Sequence, residues 1–194
     1  MNQSLVGFVL AGGKSSRMGS DKAFLELGGG TLLARALRVL REVTPDVRIV
    51  GGRGKFGEFG TVIEDIYCET GPLGAIHAGL RTSQAELNLM LPVDLPLMRA
   101  EFLAWLCEKA SQNKAVVTVP RAGGRLQPLC AVYRREFAKV AEAALQQGKN
   151  KIDPLFEEVE SEIVEVPETF PPGMFSNLNT PEEWEKARLR LSKA

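Results

Sequence analysis

Apolar and polar positions follow one another along this chain in blocks that predict a regular succession of elements. Leu5–Leu10 is a continuous apolar run rich in strand formers, stopped by Gly12 and Gly13, and predicts a fully buried strand. Leu32, Leu33, Ala36, Leu37, Leu40 and Val43 recur at helical spacing behind Thr31, whose hydroxyl can cap the first turn, and Pro45 closes the segment. Val47–Val50 and Thr61–Ile63 predict two short strands. Pro72–Ser83 predicts a helix opened by Gly71-Pro72, and Leu87–Leu91 a fourth strand. Arg99–Gln112 predicts a helix with Phe102, Leu103 and Leu106 inward. Ala115–Val119 and Leu129–Tyr133 predict two more strands, and Glu136–Gln147 a helix ended near Gly148. Strands that alternate with helices need crossover connections. The expected architecture is therefore α/β: a doubly wound, mainly parallel sheet with helices on both faces. Six glutamates and no basic residue between Glu157 and Glu168 predict a solvated segment. Pro167, Pro171, Pro172 and Gly173 form a loop before a last helix, Pro181–Leu191, capped by Thr180. No repeat or low-complexity linker divides the chain, so one domain over residues 1–194 is expected.

Composition narrows the function classes. The chain has 194 residues, with 24 Lys plus Arg against 24 Asp plus Glu, and this balance leaves no basic excess to serve a nucleic-acid backbone. No apolar run reaches the roughly 18 residues needed to span a bilayer, so no membrane partner is expected. The amino terminus has no basic region before its apolar run, which leads into Gly-Gly-Lys, and a signal peptide is not expected. Cys68, Cys107 and Cys130 are odd in number and far apart. That fits thiols in a reducing cytosol rather than a disulfide framework or a metal knuckle, and a cytoplasmic protein is expected.

The densest chemical signal is Leu10-Ala-Gly-Gly-Lys-Ser-Ser-Arg-Met-Gly-Ser-Asp-Lys22. Gly12 and Gly13 follow a buried strand and let backbone approach a polyphosphate closely, while Lys14, Arg17 and Lys22 can neutralise its charge. A glycine-rich surface loop with incidental cations has the same composition. Walker A spacing fails, because five residues separate Gly13 from Gly19 and Ser20 follows; the dinucleotide fingerprint is also absent from this turn. Asp94, in Leu91-Pro-Val-Asp-Leu-Pro96, follows a strand and can bind Mg²⁺ that bridges nucleotide phosphates; an aspartate opening a turn reads alike. Glu64-Asp65 and Gly51-Gly52 stand at two further strand ends. Ligands of open α/β sheets bind outside the carboxyl ends of the strands. The first four strands thus deliver these groups to one rim, which favours nucleotide or phosphate binding. His77 lies inside a helical pattern, and no Gly-x-Ser-x-Gly elbow occurs, so a Ser-His-Asp site is not expected. Trp105 and Trp184 fall at helical positions that suit core packing or a partner face.

The Leu10–Lys22 segment resembles the signature loop of nucleotidyltransferases, and most closely that of the molybdenum cofactor guanylyltransferases. The resemblance extends to Asp65, Gly71-Pro-Leu-Gly74, the segment around Asp94, Gln127-Pro-Leu-Cys-Ala-Val-Tyr133 and Asn177-Leu-Asn-Thr-Pro-Glu-Glu183. It implies a Rossmann-like nucleotidyltransferase fold that uses GTP and Mg²⁺, joins GMP to the terminal phosphate of molybdopterin, and releases pyrophosphate. It also implies that Leu10, Ala11 and Gly12 contact the nucleotide, that Lys22 grips its phosphates, that Asp65 contributes to nucleotide binding and that Asp94 is the magnesium ligand. Lys22, Asp94 and Arg17 are the expected catalytic residues, with Gly13, Lys14 and Gly51 among the nucleotide contacts. The family pattern has asparagine at the end of the second strand where this chain has Gly51-Gly52, so backbone contacts are expected there. A histidine common before the proline of the Pro-Leu-Cys segment is Gln127 here. Residues 1–100 form the expected nucleotide-binding half and 101–194 the acceptor-binding half, in which Gln127, Asn177 and Asn179 are candidate acceptor contacts; the two asparagines can equally cap the last helix. Transient contacts with other cofactor-assembly proteins also follow from the resemblance. Alternatives are a CTP-dependent molybdopterin cytidylyltransferase, a sugar- or polyol-phosphate nucleotidyltransferase, and a non-catalytic nucleotide-binding regulatory protein.

Overall fold

The computed structural model describes residues 4–12, 21–171, 173–178, 183–185 and 187–188. An eight-stranded mixed sheet runs through them. Its strands are β1 (Leu5–Leu10), β2 (Val47–Val50), β3 (Thr61–Ile63), β4 (Leu87–Pro92), β5 (Val117–Ala122), β6 (Arg125–Leu126), β7 (Val132–Tyr133) and β8 (Ser161–Glu165). The helices are α1 (Leu32–Arg41), α2 (Arg53–Phe56), α3 (Pro72–Thr82), α4 (Ala100–Ser111) and α5 (Phe137–Gln146). β3, β2, β1 and β4 lie side by side in parallel. β7 enters antiparallel between β4 and β5, β6 folds back on β5 as a hairpin, and β8 runs parallel to β5.

The alternation of side chains sets the layers. Val6, Phe8 and Leu10 of β1 pack with the apolar stripes of α3 and α5, while Val9 packs with those of α1 and α4. The sheet is thus covered on both faces, as the sequence predicts. Leu33 and Leu40 of α1 are fully buried, each contributing about 1.5–3 kcal/mol of burial. Thr31 caps α1, its hydroxyl accepting from Ala34 N at 3.1 Å. Arg134 ties the end of α4 to the sheet: Nε donates to Ala115 O at 3.1 Å and Nη2 to Asn113 O at 2.8 Å, and Nη1 pairs with Glu86 at 2.7 Å.

The differences from expectation have physical reasons. The strand predicted at Leu129–Tyr133 narrows to Val132–Tyr133, because Cys130 N instead turns back to Gln127 O at 3.0 Å. The acidic stretch is not merely solvated. Ser161–Glu165 forms an edge strand whose backbone pairs with β5, while Glu162 and Glu165 stay in water. Charged side chains on an edge strand discourage further pairing. The short elements α2, β6 and the 3₁₀ turns at Lys22–Phe24 and Asp153–Glu157 carry no long periodic signal and were not expected. Residues 183–185 and 187–188 are helical; Thr180, Pro181 and the end of the predicted last helix lie outside the described residues.

Candidate active site

β1 and β4 are neighbours in the sheet, so their carboxyl ends open at one place. There Ala11 N and Gly12 N both donate to Val50 O, at 3.0 and 3.1 Å, and Val93 N donates to Leu10 O at 3.1 Å. These bonds lock the ends of β1, β2 and β4 together. Asp21 then accepts from Ala23 N at 3.1 Å and caps the 3₁₀ turn that carries Lys22; Lys55 Nζ holds the same carboxylate at 3.0 Å. The turn aims Lys22 across the strand ends, where its Nζ meets Asp94 Oδ2 at 3.3 Å. Residues 72 positions apart in sequence thus form one ion pair.

Leu10, Ala11, Gly12, Lys22, Asp65 and Asp94 line a cavity of about 590 Å³, with Glu69, Gly71, Pro72 and Leu129 completing its walls. A Cβ on Gly12 would stand 3.7 Å from Asp65 Oδ2, so the missing side chain leaves open floor between β1 and that carboxylate. Asp65 keeps contact with solvent, but the cleft walls remove enough water to raise its pKa above the ordinary carboxyl value. Gly71 adopts φ 69°, and Pro72 starts α3 at the cleft edge. The amino end of α3 therefore adds partial positive charge to a wall that already holds Lys22.

Gly51 lies beneath this floor, not on the cleft wall. Its N–H is committed to Ile63 O at 2.9 Å. A Cβ there would fall 2.7 Å from the Phe56 ring, which gives the glycine a packing role. Gln127 and Asn177 meet at a second cavity of about 570 Å³, between the β5–β6 hairpin and residues 166–171 and 173–177. Leu178 N donates to Asp94 O at 3.3 Å, so the segment carrying Asn177 is fastened to the Asp94 turn. Leu129 lines the first cavity and Gln127 the second, which makes the 127–129 stretch the partition between them. Gly13, Lys14, Arg17 and Asn179 lie outside the described residues.

Residues 7–161 match the MobA-like NTP transferase domain. The chain belongs to this family. It is 33% identical to the chain named probable molybdenum cofactor guanylyltransferase of Geobacillus sp., over 93% of this chain and 96% of that one. It is 31% identical to the molybdenum cofactor guanylyltransferase of Vibrio parahaemolyticus, over 90% of both. The crystal structure of molybdopterin-guanine dinucleotide biosynthesis protein A from Archaeoglobus fulgidus superposes with a TM-score of 0.83 at 26% identity, covering 97% of this chain and 99% of that one.

MobA-like membership accords with what the remaining groups do. His77 is fully buried, both ring nitrogens lack a hydrogen-bond partner, and burial pulls its pKa down. It packs edge-on against Tyr67 at 5.4 Å and takes no part in the cleft. Trp105 and Trp184 pack against the core. Cys107 and Cys130 are buried, and burial raises the Cys107 thiol to about 12, so neither is a nucleophile. Among the described residues no three His, Cys, Asp or Glu side chains gather around a metal position, and no helix is long and apolar enough to cross a membrane. Sequence reasoning missed Glu69 and Leu129, and of the second cavity's lining it named only Gln127 and Asn177. Glu69 reaches the cleft through a φ of 62°, which nothing in its local sequence announces.

Proposed function

We propose that this chain transfers GMP from GTP to the terminal phosphate of molybdopterin and releases pyrophosphate. The observation that carries the reading is the Lys22–Asp94 pair at 3.3 Å, a cation and a hard oxygen donor side by side at the mouth of a nucleotide-sized cleft. The name of the Vibrio relative supports guanylyl transfer. An oxygen of the acceptor phosphate attacks the α-phosphorus of GTP, the bond to the bridging oxygen of the β-phosphate breaks, and pyrophosphate leaves with the electron pair. The attacking oxygen is already anionic, so no protein base is needed, in keeping with a buried His77. The residues' task is to place the two phosphates in line and offset their charge.

The donor set fits Mg²⁺. Asp94 is a partly exposed carboxylate, and Asp65 lines the same cavity. A magnesium ion is ordinarily held by one or two carboxylates plus substrate phosphates rather than by an all-protein cage. Asp94 would hold the ion, which when bound would supply charge neutralisation to the triphosphate. Lys22 donates to the phosphates, Gly12 leaves room for the nucleotide, and Asp65 borders it. Gln127 and Asn177 serve the acceptor from the second cavity; Asn179 at the acceptor and Lys14 and Arg17 at the triphosphate are assigned on the sequence alone. The test is thermal unfolding with each nucleoside triphosphate, with and without Mg²⁺. GTP at ~100 times its Kd should add about 2.7 kcal/mol, and stabilisation by CTP alone would overturn the guanylyl assignment.

A further inference from the structure

The seam between α3 and α5 buries a titratable group that the proposed transfer does not use. His77, the chain's single histidine, is fully buried, and neither ring nitrogen has a hydrogen-bond partner. A buried polar group left unpaired is costly, so its place in α3 calls for a reason. Two contacts locate the ring. It stands edge-on to Tyr67, with centroids 5.4 Å apart. Its Nε2 is 3.9 Å from Glu142 Oε1 of α5, about 1 Å beyond a charge-assisted hydrogen bond. Tyr67 carries the contact onward. Its carbonyl accepts from Thr70 Oγ1 at 2.8 Å, and its hydroxyl accepts from Gln146 Nε2 of α5 at 3.5 Å. These bonds hold the turn in which Glu69 takes φ 62° and Gly71 φ 69°. Glu69 and Gly71 both line the Lys22–Asp94 cleft. His77 therefore backs the cleft wall through Tyr67 without lining the cleft itself.

The surroundings decide what the ring can do. Burial acts most strongly and pulls its pKa below the ordinary 6.5; Glu142 opposes this, and Arg81, one turn along α3, adds to it. Tyr67 adds its phenol, and on α5 Lys139, one turn before Glu142, is exposed. β1, β2 and β3 also pack against α3. The one charged residue in these strands is Arg48 of β2, bonded to Asp46 at 2.8 Å and to Thr82 O at 3.1 Å. At neutral pH the ring is uncharged and packs as a flat apolar body. A proton gives it two N–H donors where neither has an acceptor in range. Only a shift of about 1 Å toward the partly exposed Glu142 supplies one, and the contact with Tyr67 changes with that shift. We propose that His77 is a positioning residue for the nucleotide: uncharged, it holds Tyr67 and with it the Glu69–Gly71 wall, and its protonation draws the ring to Glu142 and releases that wall, so nucleotide binding weakens in acid. This rests on the nucleotide reading of the cleft and adds a proton-sensitive support behind it.

The test uses the whole untagged chain, in which a single histidine gives a single ring Cε1–H resonance in NMR. The titration midpoint of that resonance should fall by about 0.5 or more on adding saturating Mg²⁺–GTP, because the nucleotide favours the uncharged ring. Linkage is reciprocal, so the Kd for GTP should rise about threefold or more as pH falls through the midpoint. Titration of the GTP phosphates and of Asp65 is common to wild type and His77→Phe, which keeps a ring against Tyr67 without a titrating nitrogen. The difference between the two pH profiles is therefore the readout. Glu142→Gln changes a partly exposed side chain and should lower the histidine midpoint of the free protein, which keeps the test sound if His77→Phe does not fold. A midpoint indifferent to Mg²⁺–GTP, or one pH profile shared by wild type and His77→Phe, would overturn the proposal. Hydrogen exchange of the 69–71 amides gives a reading without nucleotide: their protection should drop on acidification in wild type and persist in His77→Phe. That result in a protein that binds no GTP would sustain the coupling of His77 to the wall and refute the nucleotide reading alone.

Discussion

Replacing Gly74 by alanine measures how the wall of the Lys22–Asp94 cleft is held. Gly74 sits in the first turn of α3, and a Cβ there would overlap Thr70 Oγ1 and come within 3.3 Å of Tyr67 O. Thr70 Oγ1 donates to Tyr67 O at 2.8 Å and closes the turn that carries Glu69 and Gly71 into the cleft. Three effects compete. Alanine in place of glycine in a helix gains up to about 1 kcal/mol. Driving Thr70 off its rotamer removes one hydrogen bond, a loss of about 0.5–1.5 kcal/mol. The remaining squeeze against the Tyr67 carbonyl adds a share of the roughly 1–3 kcal/mol typical of overpacking. Gly74→Ala alone should therefore be neutral to mildly destabilising, while GTP affinity drops because the Glu69–Gly71 wall is released. In a Thr70→Ala background the obstacle is gone and the same alanine should stabilise. Denaturant unfolding of the four proteins gives the coupling, expected at about 1 kcal/mol and favourable. A coupling below about 0.3 kcal/mol would refute the reasoning, since Thr70 would then not be what excludes a side chain at Gly74.

Three further outcomes follow from the same geometry. Asp65→Asn should stabilise the protein at neutral pH. The folded-state pKa is raised, so the charged form carries a stability cost that is absent below the unfolded value near 3.8 and is imposed as pH rises through the folded value. The advantage of asparagine in urea unfolding should disappear on acidification, and one that persists below that value would refute a charge origin. Gly51→Ala should cost about 1–3 kcal/mol by forcing the Phe56 ring aside, and the double variant with Phe56→Leu should recover part of it. Lys22→Ala should weaken GTP binding by about 10- to 150-fold, as expected for a lost charge-assisted bond, with little change in Tm because the Lys22–Asp94 pair is partly exposed. Calorimetric titration with GTP checks it, and an unchanged affinity would remove Lys22 from the phosphates.

The sequence made the sheet and its helices legible where one physical rule acted alone. β1 and α1 read clearly because burial on two faces or one demands a continuous or a 3.6-residue apolar pattern. β8 did not, because an edge strand needs only backbone partners and keeps its glutamates in water. The rim of the first cleft was legible for a topological reason: parallel strands end on one side, so Gly12, Asp65 and Asp94 had to converge. Gly51 converges too, yet its amide is taken by Ile63 and its bareness by Phe56, which spacing alone cannot distinguish from a ligand contact. The second cavity was the least legible. Its walls come from a hairpin and a proline-rich segment, the segment held to α4 through Phe102, Phe170 and Phe175, three residues whose meeting no local motif encodes.

The central claim is best tested by pyrophosphate release from the purified chain with each nucleoside triphosphate, Mg²⁺ and molybdopterin, together and one at a time. The account predicts release only with GTP and molybdopterin together, lost in Asp94→Ala while the Tm is retained. Equal release with CTP, or GTP cleavage that ignores molybdopterin, would contradict it.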